Sequence, residues 1–188
     1  GKNFTYFPLP DGVPDPNAGV TSAEIVHTIF EDSQGRMWFG NNGGVHVYDG
    51  ASLTTFTEKD GLCNNYVSCI VEDKDGNMWI ATGYNGLCKF DGKTFENITK
   101  GKLAGVDGAG DVIQDRNGHI WFTVKHQGIY KYDGTTFTNY HKPQGIETGA
   151  VMSLMEDNQH RIWAPGFGGV YRSSGNAFVN VTRDGPWE

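Results

Sequence analysis

Residues 31–40 read EDSQGRMWFG, and the same phrase returns as EDKDGNMWIA at 72–81, QDRNGHIWFT at 114–123 and EDNQHRIWAP at 156–165. Trp38, Trp79, Trp121 and Trp163 are therefore spaced by 41, 42 and 42 residues, and each stands six residues after Asp32, Asp73, Asp115 or Asp157. A period of this length without 3.6-residue hydrophobic spacing is that of one four-stranded blade of a β-propeller, not of a helical repeat. The expected fold class is all-β: four four-stranded blade repeats of about 41–42 residues, near 22–61, 62–103, 104–145 and 146–188. Together they make a single propeller domain or propeller fragment over 1–188. A tryptophan at every equivalent position reads as blade-to-blade packing, because catalysis needs one special residue whereas a scaffold needs the same one each time.

Four short strands are expected in each copy. The innermost, 26–30, 67–71, 109–113 and 151–155, is compact and mostly apolar, and its third position holds Thr28, Cys69, Asp111 or Ser153, small polar residues suited to a narrow hub. A turn rich in Asp, Asn and Gly then leads to the tryptophan strand. The third strand (GVHVYDG, GLCKFDG, GIYKYDG, GVYRSSG) closes on Asp49-Gly50, Asp91-Gly92, Asp133-Gly134 or Ser174-Gly175, and the outer strand is marked by Leu53, Phe95, Phe137 or Phe178. The start of the chain, GKNF, copies GKTF at 92–95, which predicts an extra N-terminal outer strand within 1–10. Five outer strands for four inner triplets suggest a piece of a longer propeller or a homodimer in which two arcs complete one larger ring, with a self-closed four-bladed monomer as the alternative.

Composition narrows the function classes. With 27 glycines, 13% aromatic residues and a net charge of −7, the chain suits tight turns and ring packing and offers no basic stripe for nucleic acid. No apolar run is long enough to span a membrane. Cys63, Cys69 and Cys88 form no CxxC pair, so the residues alone favour buried thiols, with a bridge from Cys69 to Cys63 or Cys88 as the alternative. The six histidines show no metal-ligand spacing, and no metal or cofactor is expected.

The order of apolar strand, ED, glycine turn, tryptophan strand and Gly-apolar-aromatic-DG resembles the two-component regulator propeller repeat from about Ala23 to Arg183, and DGLCNNYV at 60–67 adds to the likeness. His160 in place of the hairpin glycine and Ser173-Ser174 in place of the aromatic-Asp pair depart from that pattern. The resemblance implies a non-catalytic sensor module of bacterial two-component signalling, of Bacteroidetes type, periplasmic or extracellular, that responds to a glycan or other small polar ligand. A protein-interaction scaffold is the alternative. The segment HIWFTVKHQGIY also resembles streptogramin lyase repeats, which implies a magnesium-assisted enzyme with His126 as base.

The loops that differ between copies are free to build one asymmetric site. Those on one face hold the expected ligand-binding residues Asn41, Asn42, Asn64, Asn65, Tyr84, Asn85, Lys125, His126 and Phe167. Aromatic rings beside amides and a cation suit a polyhydroxylated ligand.

Overall fold

The computed structural model describes residues 3, 5–14, 22–147 and 149–184. Four antiparallel sheets follow one another in chain order. Blade 1 is β1 (Val26–Glu31), β2 (Met37–Asn41), β3 (Gly44–Tyr48) and β4 (Leu53–Phe56); blade 2 is β5 (Val67–Glu72), β6 (Met78–Thr82), β7 (Leu87–Phe90) and β8 (Phe95–Asn97). Blade 3 is β9 (Val112–Gln114), β10 (Ile120–Val124), β11 (Gly128–Tyr132) and β12 (Phe137–Tyr140); blade 4 is β13 (Met155–Glu156), β14 (Ile162–Gly166), β15 (Gly169–Ser174) and β16 (Ala177–Asn180). One helical turn, α1 (Val181–Asp184), follows, with Val181 buried. Glycine is required where the third strand begins: Gly44 and Gly128 have φ of 125° and 80°, and a Cβ there would run into the carbonyl oxygen of Phe56 or Tyr140.

One contact recurs in every blade. The indole Nε1–H of Trp38, Trp79, Trp121 and Trp163 donates to Asp32, Asp73, Asp115 and Asp157 at 2.7, 2.7, 2.8 and 2.7 Å. Each aspartate also accepts two backbone N–H groups of its own hairpin, from Gln34 and Arg36, Asp75 and Asn77, Asn117 and His119, or Gln159 and Arg161. Burial alone would raise these carboxyl groups; the indole and turn donors outweigh it and hold all four below the ordinary 3.8.

The neighbouring residue ties blades together. Glu72 accepts from the Ser33 amide (2.7 Å), Gln114 from that of Lys74 (2.8 Å) and Glu156 from that of Arg116 (3.0 Å). Three apolar cores fill the junctions: Trp38, Val45 and Val47 against Ile70, Met78, Ile80 and Phe90; Trp79 and Leu87 against Ile120 and Phe122; Trp121 and Tyr140 against Leu154, Ile162 and Phe178. No fourth core joins blade 4 to blade 1 among the described residues. Trp38, Trp79 and Trp121 are accordingly buried, while Trp163 is only half-buried.

Several expectations need correction. The predicted extra outer strand starts partly outside the described residues, and 5–14 form no strand; that segment lies over blade 1, with Phe7 stacked on Phe39 (5.5 Å) and edge-on to Tyr48 (5.0 Å). The third and fourth inner strands are shorter than predicted. The Asp111 carbonyl still accepts from the Thr123 amide, but its own amide is diverted to the Thr123 hydroxyl and its carboxylate takes the Val112 amide, while Pro165 has no N–H to offer the strand opposite it. The hub position is also a blade-to-blade link, since Asp111 accepts from the Leu154 amide at 2.7 Å.

The cysteines also differ from expectation. Cys63 and Cys88 form a disulfide, Cα–Cα 5.7 Å, and Cys69 is the free thiol. Strand alternation separates them: Cys88 faces the blade 1 junction, whereas Cys69 faces blade 3, where burial and then the Asp111 carboxylate push its thiol up to about 12.

Trp79→Ala is expected to cost about 3–5 kcal/mol, and Trp163→Ala distinctly less because no core covers its outer face; urea unfolding of both variants measures the difference. The lowered aspartate values have a definite sign. Their stabilisation is full above 3.8 and is lost as pH falls through the folded values. Asp73→Asn should therefore be less stable than the parent at neutral pH and lose less on acidification, as read from thermal unfolding between neutral pH and pH ~3.

Candidate functional site

The loops from second to third strand, and from each outer strand to the next blade, emerge on one face. In blade 1, Asn41 is buried: its Oδ1 accepts from the Gly43 amide (2.6 Å) and lies 3.1 Å from His46 Nε2, and its Nδ2 donates to the Pro10 carbonyl (3.0 Å). Asn42, also buried, places Oδ1 2.6 Å from His27 Nε2. His27 is the extra residue of a bulge between Val26 and Thr28, and the corresponding bulge in β5 frees Ser68, whose hydroxyl donates to Ala81 and to Ala109 in blade 3. A bulge thus turns an inner-strand side chain out of the ladder towards the loops.

From His27 an aromatic strip crosses to blade 2. Its ring is 4.9 Å from Tyr66, which lies edge-on to Tyr84 at 6.2 Å. Tyr66 rests on Gly83, where any Cβ would strike its ring. Tyr84 is 40% exposed, so the end of the strip is open to solvent.

Asn64 and Asn65 brace this loop rather than project from it. Asn64 donates to Glu58 and accepts from the Tyr66 amide, while Asn65 exchanges hydrogen bonds with Glu58 through its amide and side chain. Asn85, at φ 64°, donates to the Cys63 carbonyl at 3.0 Å, and the Cys63–Cys88 bridge clamps the same stretch to β7. The asparagines are thus engaged in the scaffold, and Tyr84 carries the exposed chemistry of this half.

Lys125 and His126 are exposed at the tip of the blade 3 loop. The His126 amide donates to Gly149 (2.7 Å), and its carbonyl lies 3.1 Å from His141 Nε2. Its ring has no hydrogen-bond partner among the described residues. Phe167 is 83% exposed on blade 4. The nine expected residues therefore fall into a braced half over blades 1 and 2 and a pair of exposed tips on blades 3 and 4. His27 and Tyr66 belong with them and were not expected; Tyr66 follows Asn64-Asn65 directly, but a bulge leaves no mark in sequence.

None of these residues lines the cleft of about 370 Å³ between the hairpin ends of blades 2 and 3. Its walls are Lys74, Asp75, Lys89, Glu96, Asn117 and Asp133, over Trp79 and Tyr132. Lys89 caps the Trp79 ring at 5.4 Å, and Trp79 with Asp73 belongs to the scaffold repeated in every blade. Among the described residues, no three His, Cys, Asp or Glu side chains are grouped to hold a metal.

Residues 19–43 and 61–84 match the family model described as the two-component regulator propeller. The chain is thus a β-propeller in which two stretches, one in each of the first two repeats, are similar to that family's repeat. An extracellular domain of a hybrid two-component system from B. thetaiotaomicron is similar at 19% identity and a TM-score of 0.72, over 92% of this chain and 24% of that one. A second such domain from the same organism gives 20%, 0.71, 85% and 25%. Virginiamycin B lyase from Staphylococcus aureus, in a catalytically inactive form, is similar at 16% identity and 0.67, over 82% of this chain and 54% of that one. The likeness at these identities is one of fold, and the chain spans about a quarter of the two extracellular domains. No curated protein matches it. No helix among the described residues is long and apolar enough to cross a membrane.

Closing a loop across 25 positions, the disulfide should contribute roughly 3–4 kcal/mol. Reduction is expected to lower the urea midpoint of the parent and of Cys69→Ser alike, and to leave a Cys63→Ser, Cys88→Ser double variant unchanged.

Proposed function

We propose that this chain is a non-catalytic ligand-sensing propeller of an extracytoplasmic two-component sensor, and that it takes a polyhydroxylated ligand, a glycan, on the loop face. The observation that carries this reading is the strip His27–Tyr66–Tyr84, set on a loop held by the Cys63–Cys88 bridge. Ring faces stack on the C–H surfaces of a sugar, and Lys125 and His126, exposed at the blade 3 loop tip of the same face, offer hydrogen-bonding groups. The two regulator-repeat matches support a signalling role. The disulfide supports a periplasmic or extracellular setting, since such bridges persist in oxidising compartments. The His126 ring, with no hydrogen-bond partner among the described residues, favours binding over a lyase reaction.

Calorimetry against a panel of glycans tests this. A binding glycan should lose about tenfold in affinity or more with Tyr84→Ala, a change of roughly 1.4 kcal/mol, and should be unaffected by Lys89→Ala in the opposite cleft. Equal affinity in Tyr84→Ala and His126→Ala would move the site off this face, and absence of binding across the panel would reject the glycan reading.

A further inference from the structure

The residue before each hairpin aspartate is Glu31, Glu72, Gln114 or Glu156, so one copy carries an amide where the others carry a carboxylate. The exchange falls at an internal junction, between blades 2 and 3. Where blade 1 meets blade 2, Glu72 accepts from both the amide (2.7 Å) and the hydroxyl (2.8 Å) of Ser33. Where blade 3 meets blade 4, Glu156 accepts from the Arg116 amide at 3.0 Å and lies 3.8 Å from the Arg116 Nε. In both, the carboxylate serves the backbone and the side chain of the residue opposite. Gln114 serves the backbone only: its Oε1 accepts from the Lys74 amide at 2.8 Å, and its Nε2 donates to the Gly118 carbonyl at 3.2 Å. The Lys74 ammonium, which holds the place of the Ser33 hydroxyl and the Arg116 guanidinium, has no acceptor among the described residues.

Lys74 lines the cleft of about 370 Å³ between the two blades. It lies over Gly118, where a Cβ would stand 2.9 Å from Nζ, so a side chain at that turn would displace the ammonium. A second ammonium, that of Lys89, caps the Trp79 ring at 5.4 Å and makes no ion pair among the described residues. Most carboxylates of the cleft are already engaged. Asp73 is held by the Trp79 indole and its own hairpin, Asp133 by the amides of Thr135 and Thr136 and the Thr136 hydroxyl, and Glu96 by Lys102 at 3.9 Å. The uncommitted charges are therefore two lysines against Asp75 alone. Trp79 and Tyr132, with ring centroids 6.1 Å apart, give the cleft an aromatic floor.

We propose that the cleft between blades 2 and 3 binds a small organic carboxylate, which takes at Lys74 the role that Glu72 and Glu156 play at the other two junctions. Charge-assisted hydrogen bonds from the ammonium groups hold the carboxylate, and the two rings receive the body of the molecule. The volume lies at the lower end of the range for small-molecule pockets, which suits a ligand of about the size of benzoate. The cleft lies at the hairpin ends of the blades, away from the loop face, so the inference is independent of the glycan reading.

Titration with benzoate and succinate, followed by nuclear magnetic resonance at the Gly118 amide and the Trp79 indole N–H, tests it. Benzamide, succinamide and sodium chloride at matched ionic strength are the controls. Both carboxylates should shift the two signals saturably, and the controls should not. Lys74→Ala should weaken binding by about tenfold or more, and Lys74→Arg should retain it. Gln114→Glu supplies the missing carboxylate from within the chain and should abolish binding with unchanged circular dichroism. No saturable shift with either carboxylate, equal shifts with the neutral amides, or undiminished binding in Lys74→Ala or Gln114→Glu would each overturn the proposal.

Discussion

The rest of the structure depends on the hydrogen bond from a tryptophan indole to the aspartate six residues before it. A buried carboxylate is tolerated only when its lone pairs are filled, and here the filling groups are the turn amides and the indole of the same hairpin. That closed set fixes the plane of the ring. The ring then forms the wall on which the next blade packs, so a local bond inside one hairpin decides the spacing of whole sheets. The residue before the aspartate serves the preceding blade instead, as Glu72 serves Ser33. Two adjacent side chains thus divide the work between holding a blade and joining it to its neighbour.

A scaffold built this way leaves the opposite end of each blade free to vary. Blades 1 and 2 use that freedom to assemble a braced aromatic strip, with asparagines spent on loop geometry and the outer ring, Tyr84, open to solvent. Blades 3 and 4 instead present single exposed tips. Much of the asymmetry between copies lies in these loops, which the repeated frame leaves free to differ.

The period, the four strands of each blade and the packing role of the tryptophans were legible because spacing and alternation are written directly in the chain. The Asp–Trp pairing was visible as a spacing but not as a bond, since it needs the hairpin to fold back on itself. The Cys63–Cys88 bridge was hidden because it depends on which face of β7 meets blade 1, and single residues do not reveal strand register. His27 looked like part of an inner strand, and only the bulge shows that its ring leaves the ladder. Trp163 carries the same motif as the other three yet is half-buried, because burial depends on what lies beyond the blade rather than on the blade itself.

Packing confined to successive neighbours makes the arc behave like a short one-dimensional polymer. Its blades are then unequal links. The fourth has a two-residue inner strand, a hairpin residue, His160, held at φ 62° without being glycine, and no aspartate at its third turn, where Asp49, Asp91 and Asp133 each cap two amides. Of the four blades, the fourth is therefore the link held by the fewest of the repeated contacts.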